Sequence, residues 1–102
     1  MSFRRRNRAQ EQTPQPMSAP PQQPALERPY LVIDALGRKC PIPIIMLAER
    51  IREVPIGQVV AVLADDVAAR TDVPAWCRMK SQGFVAEETL QQGWAFHIRR
   101  SY

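Results

Sequence analysis

The sequence predicts an α/β (α+β) domain of order βαβαββ, a two-layer sandwich in which a four-stranded mixed sheet carries two helices on one face. Three observations predict it. Apolar strand-like runs alternate with stretches of helical spacing. The last two runs, Phe84–Leu90 and Trp94–Arg100, are separated only by Gln91-Gln92-Gly93, as in a hairpin. All four glycines, Gly37, Gly57, Gly83 and Gly93, fall at element boundaries.

The folding part does not begin at residue 1. Six of the ten prolines precede Tyr30, in a glutamine-rich segment whose large apolar residues beyond Met1 are only Phe3, Met17 and Leu26. Such a segment buries too little surface to offset its chain entropy, so residues 1–29 are expected to be a disordered tail and residues 30–102 the domain. Arg4, Arg5, Arg6, Arg8 and Arg28 against Glu11 and Glu27 make the tail basic, whereas the remainder is close to balanced. The high pI therefore describes the tail, and no basic domain face for nucleic acid is visible. RNA binding through Arg4, Arg5, Arg6 and Arg8 is the weakest functional reading. Without an apolar leader or a run long enough to cross a bilayer, the expected location is the cytoplasm, with no membrane span.

Tyr30–Asp34 reads as a first strand with both faces largely buried, ended by the Leu36-Gly37 turn. The helix that follows puts Cys40 at its N-cap and Pro41 and Pro43 at its first and third positions, where fixed φ angles suit a first turn. Ile44, Leu47, Ala48 and Ile51 form its apolar face, and Pro55-Ile56-Gly57 stops it. Ile45 and Met46 lie off that face; they either widen the core stripe or form an apolar rim beside Cys40. Gln58–Ala64, nearly all apolar, reads as a central strand. In the second helix Thr71 and Asp72 are candidate caps, Pro74 falls in the first turn, Val73, Trp76, Cys77 and Lys80 share helical spacing, and Gly83 closes it. In the last strand Trp94, Phe96 and Ile98 face the core and His97 faces solvent. The first two strands, joined through a helix, are predicted parallel, and the last two antiparallel.

Cys40 is the main candidate for chemistry. The positive end of a helix dipole and the adjacent Arg38 and Lys39 would favour its thiolate, the nucleophilic form. The plainer alternative is a small apolar filler at a turn. Cys77 reads as a core residue, with a resolving thiol as the sharper alternative. The two cysteines fit neither a CxxC pair nor a metal-ligand spacing, and His97 stands alone, so no metal and no cofactor are expected. Asp34, Asp65, Asp66 and Asp72 sit at strand ends and helix starts, where capping is the simple explanation. Asp34, Asp65 or Asp66 beside Cys40 would orient its loop or hold Arg38 but oppose thiolate formation. No phosphate-binding glycine loop, GxSxG or HExxH occurs, so nucleotide and conventional hydrolase chemistry has no support.

Leu36-Gly37 followed by Cys40-Pro41-Ile42-Pro43 and an amphipathic helix resembles the Cys-Pro-x-Pro motif of the TusA-like (SirA-like) sulfur-carrier family. The likeness continues through Ala64-Asp65-Asp66 and Asp72–Cys77 and spans about residues 30–100. It departs at Asp66-Val67, where relatives commonly have Asp-Pro, and at Gly83-Phe84, where many have Gly-His. The resemblance implies that Cys40 is the catalytic residue, accepting sulfane sulfur as a persulfide. The donor would be a cysteine desulfurase or rhodanese, and a downstream acceptor protein would receive the sulfur. Gly37, Pro41 and Pro43 would then be structural parts of the motif, and Arg38, Lys39 and Met46 would contribute to partner docking. Members serve tRNA thiolation, sulfur oxidation, molybdenum cofactor maturation or sulfur uptake. Direct nucleic-acid binding is not expected. A non-catalytic adaptor or regulator on the same fold is the alternative.

Overall fold

The computed structural model describes residues 26–102; the tail expectation for residues 1–25 lies outside them. The elements are β1 (Leu31–Asp34), α1 (Ile42–Arg50) with a 3-10 turn (Ile51–Glu53), β2 (Val59–Ala64), α2 (Ala69–Lys80), β3 (Gly83–Thr89) and β4 (Trp94–Arg99). They form one mixed sheet of order β1-β2-β4-β3. β1 and β2 are parallel, in register Ile33↔Val62, while β4 runs antiparallel to both β2 and β3. The βαβαββ order and the strand directions expected from the sequence are those observed.

The core lies between the sheet and the two helices. Ile33, Val60, Val62, Phe96 and Ile98 from the sheet meet Leu47 and Ile51 from the first helical segment and Val73, Trp76 and Cys77 from α2. Phe96, Ile33 and Leu47 are fully enclosed, and each such side chain contributes about 1.5–3 kcal/mol relative to exposure. β2 is buried along nearly its whole length because it has a strand on either side, as its continuous apolar run predicts.

Five expectations need correction. β1 is an edge strand, so Ile33 is buried but Val32 is half exposed. On α1 the buried positions are Pro43 and Leu47, continued by Ile51, while Ala48 faces solvent. α2 starts at Ala69, earlier than Thr71 and Asp72 suggest, because the Asp66 carboxylate accepts the Ala68 N–H (3.1 Å) and sets up the first turn. Pro74 consequently sits inside the helix. Ser81, not Gly83, takes the left-handed terminal position (φ 57°), and Gly83 opens β3. Finally, His97 is buried on the sheet face away from the helices, because β4 is a central strand flanked by neighbours on both sides.

Residues 26–30 lead into β1. Tyr30 N–H donates to the Val59 carbonyl (2.7 Å), and Glu27 is ion-paired with Arg99 (2.6 Å). At the same end Arg100 donates to the carbonyls of Val54 (2.9 Å) and Tyr102 (2.8 Å), fastening the chain after β4 to the connection before β2.

Candidate functional site

Parallel β1 and β2 end side by side, so the two loops leaving them, Ala35–Pro41 and Asp65–Ala68, meet at one end of the sheet. The carboxyl ends of parallel strands are where α/β sheets most often place their sites. Here the meeting is built from carboxylates on backbone amides. Asp34 accepts the Leu36 N–H (3.1 Å) and tightens the turn. Asp65 accepts the Gly37 N–H (3.0 Å), and Asp66 accepts the Cys40 N–H (2.9 Å). Gly37 has φ 81°, a conformation that strains any residue with a side chain, which accounts for glycine at this point of the loop.

Hydrogen bonds from N–H donors favour an ionised carboxylate. Those from Cys40 and Ala68, with a smaller effect from Lys39, hold Asp66 below the usual aspartate range. Asp65 is steadied in turn by the Gln92 side-chain amide (3.2 Å) from the β3–β4 hairpin. The hairpin reaches this far because Gly93, at φ 79°, lies against the end of β2. A Cβ there would stand 2.9 Å from the Asp65 Cα and clash with the Ala64 carbonyl.

Cys40 is half buried and its sulfur packs against the edge of the core. It precedes the helix and is not its cap: Pro41 occupies the cap position, Ile42 and Pro43 begin α1, and the Cys40–Pro41 peptide is cis. The Cys40 amide faces Asp66 from a turn instead of completing a helix end. The electrostatics accordingly reverse the expectation from the helix dipole and Arg38 and Lys39. Burial pushes the Cys40 thiol up, and the negative charges of Asp66 and Asp72 push it further. At rest the surroundings favour the neutral thiol over the thiolate.

Around it, Arg38, Lys39 and Pro41 are exposed, while Pro43 is fully buried under the first turn of α1. Met46 packs partly against the core, whereas Ile42, Ile45 and Val67 remain exposed. These three, on the first turns of α1 and beside Asp66, make up the apolar rim. Both cysteines are free thiols. Cys77 lies in the core at 1% exposure, and burial raises its thiol to about 11. His97 is engaged by Glu88 (Nε2 to Oε1, 3.0 Å) at mid-strand, so there is no Cys/His dyad. Asp72 is the residue that sequence reasoning missed at the sulfur. Its place in the first turn of α2 explains it as a helix-start acid, and only the meeting of the two loops brings it to Cys40.

Residues 31–100 match the family model described as sulfurtransferase TusA. Among solved structures the chain is similar to a SirA-like protein from Desulfitobacterium hafniense. The identity is 27%, the TM-score is 0.61, and the match covers 71% of this chain and 99% of that one.

Proposed function

The chain belongs to the TusA sulfurtransferase family, and from that premise we propose that it is a sulfur carrier whose Cys40 accepts sulfane sulfur and relays it to an acceptor protein thiol. The observation that carries this reading is the placement of Cys40: one half-buried thiol at the joint of β1 and α1, in a loop whose Cys40 amide is held by Asp66 and whose Gly37 amide is held by Asp65. In the first step the Cys40 sulfur attacks the outer sulfur of a donor persulfide. The donor S–S bond breaks, Cys40–S–SH forms, and the donor leaves as a thiol. The proton released by Cys40 is matched by the one taken up by the departing donor sulfur, so the exchange needs no external oxidant or reductant. An acceptor thiolate then attacks the outer sulfur of Cys40–S–SH, the acceptor becomes the persulfide, and Cys40 leaves as a thiolate that takes a proton from solvent to return to its thiol.

Donor and acceptor proteins each bring their own sulfur, which is why one nucleophile suffices. A cysteine desulfurase or a rhodanese fits as donor, and a cytoplasmic setting fits exposed thiol chemistry. Ile42, Ile45 and Val67, with Arg38 and Lys39, form the docking rim, and Met46 supports it from below. Gly37, Pro41 and Pro43 shape the loop. Residues 30–102 constitute the carrier unit. The raised Cys40 thiol also favours a second reading, a non-catalytic adaptor that binds partners through the same rim.

Intact-protein mass spectrometry separates the two. After incubation with a cysteine desulfurase and cysteine, or a rhodanese and thiosulfate, a reductant-sensitive gain of one sulfur mass is expected, and Cys40→Ser removes it. Failure of both donors to load the wild-type chain, with partner binding unchanged in Cys40→Ser, would establish the adaptor.

A further inference from the structure

A cavity of about 450 Å³ opens at the end of the helix layer remote from Cys40, where α1 runs into its 3-10 turn and α2 ends. Both helices begin beside the two site loops, and the nine residues of α1 carry the chain about 14 Å away from them. Ala48, Ile51 and Trp76 supply the apolar lining, and Gln82, Arg100 and Tyr102 close the cavity from the turn before β3 and the chain after β4. Arg52 and Lys80, with exposed side chains, complete it.

Two helical segments end here, and unpaired carbonyls at such ends ordinarily repel anions. Several of them are already engaged. Arg100 donates to the carbonyls of Arg52 (3.3 Å) and Val54 (2.9 Å), the Tyr102 hydroxyl donates to that of Lys80 (2.8 Å), and the Gln82 N–H donates to that of Cys77 (2.9 Å). Gln82 Oε1 accepts the Ser101 N–H (2.6 Å), which leaves Nε2 of the same amide as a donor. Tyr102 is fixed at both ends, because Arg100 Nε also holds its main-chain oxygen (2.8 Å). Its ring is therefore a preset wall. The polar side-chain groups still on offer are all donors: Arg52, Lys80, Arg100 Nη2 and Gln82 Nε2. Among the described residues no carboxylate side chain pairs with any of these cations. Even with Arg100 set against the Tyr102 main-chain oxygen, the charges of Arg52 and Lys80 remain.

We propose that this cavity binds an organic phosphate monoester with a flat apolar body, its phosphate among Arg52, Lys80 and Arg100 and its body along Ile51, Trp76 and the Tyr102 ring. Two features select that class. Donors on several cations match a dianion with three outer oxygens better than a carboxylate with two. A bare phosphate would fill only a fraction of the volume, which lies in the range of small-ligand sites, and would leave the apolar lining uncovered. The site is separate from the Cys40 rim and makes no use of the sulfur.

The test is a titration of the full-length chain with phenyl phosphate, followed by nuclear magnetic resonance shifts of the backbone amides, the Gln82 side-chain amide and the arginine Nε–H groups. Expected are saturable shifts at Gln82, Arg100 and Ala48, with the Gly37 and Cys40 amides unmoved. Phenyl phosphate should bind at least roughly tenfold more tightly than inorganic phosphate. Arg52→Gln combined with Lys80→Gln should weaken phenyl phosphate binding by about tenfold or more, as expected when charge-assisted bonds are lost. Both side chains are exposed, so the β2–β4 amide signals should stay in place in that variant. No saturable shift up to about 10 mM phenyl phosphate, equal affinity for inorganic phosphate, or undiminished binding in the double variant overturns the proposal. Shifts that saturate elsewhere in the chain and spare Gln82, Arg100 and Ala48 overturn it as well.

Discussion

Burial first, and then the charges of Asp66 and Asp72, disfavour the Cys40 thiolate, so the proton stays on sulfur. In Asp72→Asn one of those charges is removed, the Cys40 thiol falls toward the ordinary cysteine range, and the thiolate fraction at neutral pH rises. Iodoacetamide alkylation of Cys40 at pH 7.5 should then accelerate by about two- to tenfold, since one pKa unit is a tenfold change in thiolate. Cys77 should stay silent in the same assay, its thiol raised to about 11 in the core. Cys77→Ala should preserve loading and lower stability by about 1–2 kcal/mol, read from the urea midpoint, as expected for a small buried truncation. The place of Cys40 at the joint of β1 and α1 was legible because a cysteine before two prolines at a strand-to-helix joint is a local pattern. Its protonation was not, because Asp66 and Asp72 are more than 25 residues away in the chain.

The ends of the elements carry more information than their middles. Ser81 closes α2 with φ 57°, its N–H shared between the Arg78 and Cys77 carbonyls. Glycine takes this conformation without the penalty that a side chain brings, so Ser81→Gly should stabilise the chain by about 0.5–1 kcal/mol, measured as a rise in urea midpoint at constant slope. Strand periods were readable because alternation and continuous apolar runs report burial directly; β2 and the β3–β4 hairpin fall where those patterns put them. Helix starts were less readable. Ala68 is a poor capping residue, and the true signal, Asp66 folding back on the Ala68 N–H, is shared with a bond to a distant loop. Nor does an apolar run distinguish an edge strand from a central one. Tyr30–Asp34 is as apolar as a buried strand, and only the order β1-β2-β4-β3 exposes Val32.

At the scale of the whole molecule, the two ends of the sheet have different tasks. One end joins the lead-in, the β2 entry and the chain after β4 through Arg99 and Arg100; the other presents Cys40 on two loops tied by carboxylates. The Asp66 pKa is depressed, so its contribution is complete above the ordinary aspartate value of about 3.9 and is lost as pH falls through the lower folded value. The tie therefore holds unchanged across neutral pH and loosens only in strong acid. Replacing Asp65 and Asp66 together by Ala should speed amide hydrogen exchange at Gly37 and Cys40 by roughly tenfold or more, as expected when two long-range bonds to a loop are lost, with the β2–β4 amides unaffected. The pairing also sets a length. Two adjacent side chains, Asp65 and Asp66, grip two amides three residues apart, so this dipeptide acts as a gauge for the segment Gly37-Arg38-Lys39-Cys40. Arg38 and Lys39 are free to change in chemistry because neither is gripped, but the segment cannot gain or lose a residue without releasing one jaw. Under the proposed carrier function, variation in partner choice falls on the identity of these two exposed side chains, while the height of the sulfur above the sheet stays fixed.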